Sequence, residues 1–106
     1  MSDVKIYHRT HRGCIYKCKA CSKWHILFKN IQLNMSEYEL SVFYTDIKDE
    51  VKSFCNVHNE VSPLYFECES RGGMLMNLLK TEYLELEYLI GSSLILLNAE
   101  RLLQNA

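Results

Sequence analysis

Between Val4 and Met35 apolar and polar residues alternate over four short runs, VKIYH, CIYKC, WHILFK and IQLNM, each holding β-branched or aromatic side chains. A period of two places successive side chains on opposite faces of an extended chain, so these runs predict four short strands. Lys19 and Ala20, between Cys18 and Cys21, fall where a tight connection would join two of them. From Ser36 the period changes to that of a helix. Leu40, Phe43, Ile47, Val51 and Phe54 recur at helical spacing, and Ser36 with Glu39 has the pattern of a reciprocal side-chain cap, so a first helix is expected through Ser53. PLYFECE and GMLMNLL then flank a turn with two glycines, Gly72 and Gly73, and residues 63–79 read as an antiparallel hairpin. Thr81 is the expected cap of a long second helix running to about Leu103.

That last helix is apolar on two sides. At 100° per residue, Leu86, Leu89, Ile90, Ser93 and Leu97 fall on one face, while Leu84, Tyr88, Gly91, Ile95, Ala99 and Leu102 fall nearly opposite. One stripe suffices to pack a helix on a sheet. The second must meet either its own sheet from the other side or the same helix of another copy. Gly91, Ser92 and Ser93 are small enough for a close approach, so a two-fold homodimer through Leu84, Tyr88, Gly91, Ile95 and Leu102 is expected.

These elements define an α+β fold: an antiparallel sheet of five or six short strands in the order β-β-β(-β)-α-β-β-α, with the hairpin joining the sheet and the long C-terminal helix packed across it. A length of 106 residues fits one domain spanning 1–106, and 48% apolar content fits a folded core. The net charge of −1 excludes a global attraction to nucleic acid or to a membrane surface. Its distribution is uneven. Residues 1–29 carry seven basic side chains (Lys5, Arg9, Arg12, Lys17, Lys19, Lys23 and Lys29) against the single acid Asp3, and the remainder is acidic.

The basic segment interleaves with Tyr7, Tyr16, Trp24 and Phe28, a mixture that could follow a phosphate backbone and stack bases through Lys17, Lys19, Lys23 and Trp24. A solvated strand face over core aromatics, or contact with the acidic part of another copy, accounts for the same pattern. No N-terminal apolar run reads as a signal peptide, and the longest uncharged apolar stretch, Tyr88 to Ala99, is too short to span a bilayer. Five cysteines without an export signal suggest a reducing compartment, so a cytoplasmic protein with no membrane contact is expected.

The cysteines Cys14, Cys18 and Cys21 have C-x3-C-x2-C spacing. Three thiolates so spaced can hold an iron–sulfur cluster, but the barrel that uses this motif for radical chemistry needs a longer chain. A redox pair at Cys18 and Cys21 would gain from a helix N-terminus that lowers the first thiol's pKa, and a strand is expected there instead. A zinc ion needs four ligands. Cys18 and Cys21 offer one pair and Cys55 and His58 a second, with Cys14 or Cys68 as substitutes, while small buried or surface thiols are the plain alternative. His8, His11 and His25 read as surface or hydrogen-bonding residues, and Glu67 and Glu69 as a solvated strand face.

Gly13, Cys14, Ile15, Tyr16, Cys18, Cys21, His25, Leu27 and Phe28, followed by the capped helix, the hairpin and LEYLIGSSLILLNAERLL, resemble a family of small uncharacterised bacterial proteins found mainly in Bacteroidetes. The resemblance implies the order of elements, with a two-cysteine knuckle leading into an apolar strand that ends near Phe28 and Asn30, and it implies no activity. Ser22 stands where a knuckle favours glycine, and Lys29 where that family carries small residues. Function is therefore expected to be a binding or assembly module, with zinc as a candidate structural ion and a homodimer or another protein as partner. A nucleic-acid adaptor and a thiol redox protein are the alternatives.

Overall fold

The computed structural model describes residues 4–53, 61–68 and 72–105. Four strands, β1 (Val4–Arg9), β2 (Gly13–Cys18), β3 (Trp24–Phe28) and β4 (Ile31–Met35), form an antiparallel sheet in chain order. Helix α1 (Glu37–Ser53), the hairpin β5 (Val61–Cys68) and β6 (Gly72–Leu79), and helix α2 (Lys80–Gln104) follow. The α+β class and the order of elements are those expected. The hairpin differs in one respect: β5 and β6 pair with each other as a second, two-stranded sheet rather than joining the first. Its apolar residues Phe66, Met76 and Leu78 are buried in the core that the helices share, with the Phe66 ring 4.6 Å from Phe43. The hairpin's burial is thus met on the helices, with no need for a sheet edge.

Period-two alternation sorts the four-stranded sheet into two faces. Ile15, Trp24, Ile26, Phe28, Leu33 and Met35 are buried, and they meet Leu40, Phe43 and Ile47 of α1 and Leu86, Leu89 and Ile90 of α2 in one core. On the outer face the register aligns Ile6, Tyr16, His25 and Asn34 in one row and Arg9, Cys14, Leu27 and Gln32 in another. The register shifts between Ile6 and His8, and the extra residue turns both Tyr7 and His8 toward the helix side. The Tyr7 ring packs tilted against Trp24, 4.7 Å between centroids, and its hydroxyl donates to Glu100 at 2.9 Å, while the His8 and Tyr88 rings meet edge to face at 5.2 Å.

The helices run antiparallel, with Arg101 donating to both carboxylate oxygens of Glu37 at 2.7 and 2.5 Å. Their crossing is close. A Cβ at Gly91 would lie 2.9 Å from the Tyr44 hydroxyl, so a larger residue there would have to displace that ring. The cap of α1 is as expected: Glu39 N–H donates to Ser36 Oγ at 3.2 Å, and Ser36 N–H donates to Glu39 Oε1 at 2.9 Å. At α2 the expected cap Thr81 is displaced. The helix starts at Lys80, and Glu82 accepts the Leu79 N–H at 2.9 Å while its other oxygen pairs with Lys29 across the sheet.

Candidate functional site

β2 ends at Cys18, and the chain turns back to β3 in five residues. Two backbone hydrogen bonds close the turn, Ser22 N–H to Cys18 O at 2.9 Å and Cys18 N–H to Lys23 O at 3.0 Å. Ser22 takes a left-handed φ of 59°, the conformation for which glycine is favoured at this position of a knuckle. The turn brings Cys21 N–H to 3.5 Å from Cys18 Sγ. Two sulfurs on one short turn are the pair of ligands that a metal-binding knuckle offers. Lys29, the other residue expected to be small, also has a left-handed φ, 55°, at the turn between β3 and β4.

Beside the cysteine turn is a cleft of about 490 Å³, lined by Lys5, Tyr7, Lys17, Cys18, Lys19 and Glu100 among others. Lys5 is paired with Glu100, and Lys17 Nζ lies 5.6 Å from the centroid of the Trp24 ring. The same division of charge recurs along the junction of sheet and helix: Lys29 pairs with Glu82, and Arg12 with Glu85 at 3.3 Å. The Lys29 hydrogen bond holds the Glu82 carboxyl below its ordinary range. Acid and base that the sequence suggested could meet between copies thus meet here within one chain.

Of the candidate zinc ligands, the turn brings together Cys18 and Cys21. Cys14 is four residues back on β2, roughly 13 Å along an extended strand, and Cys68 ends β5. Cys55 and His58 lie outside the described residues. Their flanking neighbour Ser53 ends α1 about 25 Å by helix rise from Glu37, whose carboxylate holds Arg101 near the cysteine end of the molecule. Among the described residues no three His, Cys, Asp or Glu side chains converge on a metal position.

The base-stacking role expected of Trp24 does not fit its place. Its side chain is 0% exposed, packed beneath Tyr7 in the core, because Trp24, Ile26 and Phe28 share the inner face of β3. Lys17 shares that inner face, whereas Lys19 and Lys23 are exposed. The rings that the outer face does carry are Tyr16 and His25, stacked at 4.7 Å with 6° between planes. Their signal was available in the sequence: in WHILF the tryptophan alternates with Ile26 and Phe28, and the histidine with Leu27.

Four of the five expected dimer residues line the outer side of α2, with exposures of 43% at Leu84, 61% at Tyr88, 72% at Ile95 and 73% at Leu102. Gly91 is the exception. It is buried on the floor of a groove of about 340 Å³, beneath Tyr44 and between Tyr88 and Ile95.

The fold and this site define an α+β protein with a two-cysteine turn on a four-stranded sheet. The chain belongs to a family of unknown function, DUF6686, whose model matches residues 1–67. The match spans the sheet, α1 and most of β5, and it stops short of β6 and α2. No curated protein and no solved structure matches the chain. No helix among the described residues is long and apolar enough to cross a membrane.

Proposed function

We propose that this protein is an assembly module that pairs with a second copy of itself through the outer stripe of α2. The observation that carries this reading is the exposure of Leu84, Tyr88, Ile95 and Leu102 along one side of a helix whose other side is fully packed. A lone apolar side chain on a surface needs no explanation, but a continuous aliphatic and aromatic ridge beside a groove marks an interaction surface. The ridge is self-complementary under a two-fold axis, since Ile95 of each copy can seat beside the groove of the other. Light scattering at micromolar concentration tests it: the expected mass is that of two 12.5 kDa chains. Ile95→Glu, at a position 72% exposed, should give a folded monomer that still melts cooperatively. A wild-type monomer would overturn the reading.

A second reading, zinc held by Cys18 and Cys21, is supported by the turn itself: two thiols in one knuckle, an N–H aimed at the first sulfur, and a left-handed residue following the second. Because α1 carries Ser53 away from the cysteine end, the four ligands would come from the knuckles of two copies. In that case one zinc binds per two chains, Cys18→Ser lowers metal content while Cys55→Ser does not, and metal removal lowers the melting temperature. One zinc per chain that is lost in Cys55→Ser, or purified protein without metal that melts cooperatively, would overturn this reading.

A further inference from the structure

We propose that the outer face of the four-stranded sheet binds single-stranded nucleic acid, with Tyr16 and His25 as the stacking platform and Arg9, Lys19 and Lys23 as phosphate contacts. Residues 4–36, which build the entire sheet, contain no aspartate and no glutamate. Among the described residues, the sheet itself therefore offers a polyanion no repelling carboxylate. The basic residues divide by role. Lys5, Arg12 and Lys29 are paired with Glu100, Glu85 and Glu82 of α2. Arg9, Lys19 and Lys23 are exposed and make no ion pair among the described residues. They stand at the two ends of the sheet, Arg9 at the end of β1 and the lysines in the turn between β2 and β3.

Between these cations lie the rings. Tyr16 and His25, on the two central strands, stack on each other, so a base would continue the stack on the outer face of the pair, and a 2.5 Å contact between His25 Nδ1 and Asn34 Oδ1 fixes the imidazole in place. A central aromatic pair with amides beside it and cations at the rim suits unstacked bases, whose faces pair with any flat ring and whose phosphates follow the charge. A duplex keeps its base faces hidden. An acidic peptide would use the cations and leave the rings idle, which makes the rings the discriminating residues. The face belongs to the layer opposite the α2 ridge, so this inference does not rest on the dimer.

The test is fluorescence anisotropy of the full chain with labelled oligouridylate and oligothymidylate of about 12 nucleotides, a length within the range of small single-strand binders. The wild type should bind at low salt and lose affinity steeply as salt rises. Tyr16→Ala should weaken binding at least about fivefold, the loss expected when one base stack is removed, while Tyr16→Phe retains it. Lys19→Gln with Lys23→Gln, both at exposed positions, should lower the slope of log affinity against log salt by about 1.4, or roughly 0.7 per phosphate contact. No binding at low salt, equal affinity for duplex, or equal competition by polyglutamate would each overturn the proposal, the last by marking the face as a site for acidic protein. If Tyr16→Ala melts below the assay temperature, the lysine variant decides: an unchanged salt slope overturns the proposal.

Discussion

The two layers of the molecule expose opposite chemistry. Among the described residues the strands of the sheet side hold no acid, carry Tyr16, His25, Asn34 and Gln32, and are rimmed by Arg9, Lys19 and Lys23. The helix side exposes Leu84, Tyr88, Ile95 and Leu102, with no lysine or arginine lining its groove. Between them runs a seam where Lys5, Arg12 and Lys29 reach Glu100, Glu85 and Glu82. The difference teaches how to read a lopsided charge distribution. The basic first third and acidic remainder do not describe two long-range fields, because part of that charge cancels at the seam. What the basic third leaves available is the subset without a seam partner, Arg9, Lys19 and Lys23, at the two ends of the sheet.

The largest expected effect tests which face of β3 is which. Trp24 is wholly buried and touches Tyr7, so Trp24→Ala should cost about 3–5 kcal/mol by urea denaturation, the usual range for emptying a large aromatic site. His25→Ala, one residue away on the other face, should cost far less. Equal losses would break the two-faced description of the sheet.

Much of this was legible because each element carries its own period. Leu86, Leu89, Ile90, Ser93 and Leu97 were grouped by angle alone and all five are buried. The cap at Ser36 and Glu39 was legible for the same reason, since its partners are three residues apart. The rest depends on long-range packing. Nothing local in VSPLYFEC says whether that strand extends a sheet or lies on helices; Phe43 decides it, from another element. Glu82 replaces Thr81 at the start of α2 because Lys29, 53 residues earlier, supplies its partner. Trp24 misled because a lysine-rich neighbourhood suggested a surface, whereas alternation within its own strand places it inside.

The helix side can be probed next through Tyr83, buried at the inner face of α2, whose hydroxyl donates to Ser62 O at 2.7 Å and ties the hairpin to the helix. Burial, with the Glu50 carboxylate adding to it, pushes the phenol up to about 12 from 10.0. The unfolded chain releases this proton first, so the contribution is present below pH 10 and is lost as pH rises toward 12. Stability should fall over that window by roughly 2 kcal/mol, and Tyr83→Phe should flatten the fall attributable to this group. A Tyr83→Phe protein with the same alkaline loss would assign the loss elsewhere.

The seam has the opposite pH dependence. Glu82 is held below 4.5, first by the Lys29 hydrogen bond, so its contribution is present above that value and disappears as pH falls through the folded-state value. Glu82→Gln removes the ion pair and weakens the cap at Leu79, for a loss of about 1–2 kcal/mol at pH 7. The variant's deficit should shrink on acidification. A deficit that stays constant to pH 3 would mean that shape rather than charge matters at this position.

The smallest effect separates the cationic rim from the seam, using the two left-handed residues. Ser22, φ 59°, sits in the exposed cysteine turn, and Lys29, φ 55°, sits where the sheet reaches α2. Replacing either by glycine relieves about 1 kcal/mol of left-handed strain but gives the unfolded chain about 0.5–1 kcal/mol more entropy. Ser22→Gly should therefore move stability by less than about 0.5 kcal/mol, a melting shift of at most a few degrees. Lys29→Gly has the same backbone balance and also loses the Glu82 pair, so it should be the less stable of the two. Because the backbone terms nearly cancel between the variants, the difference in their melting temperatures measures the ion pair, and it should narrow at low pH as Glu82 protonates. Two glycine variants with equal stability at pH 7 would show that the Lys29 pair contributes nothing and that the seam does not join the layers there.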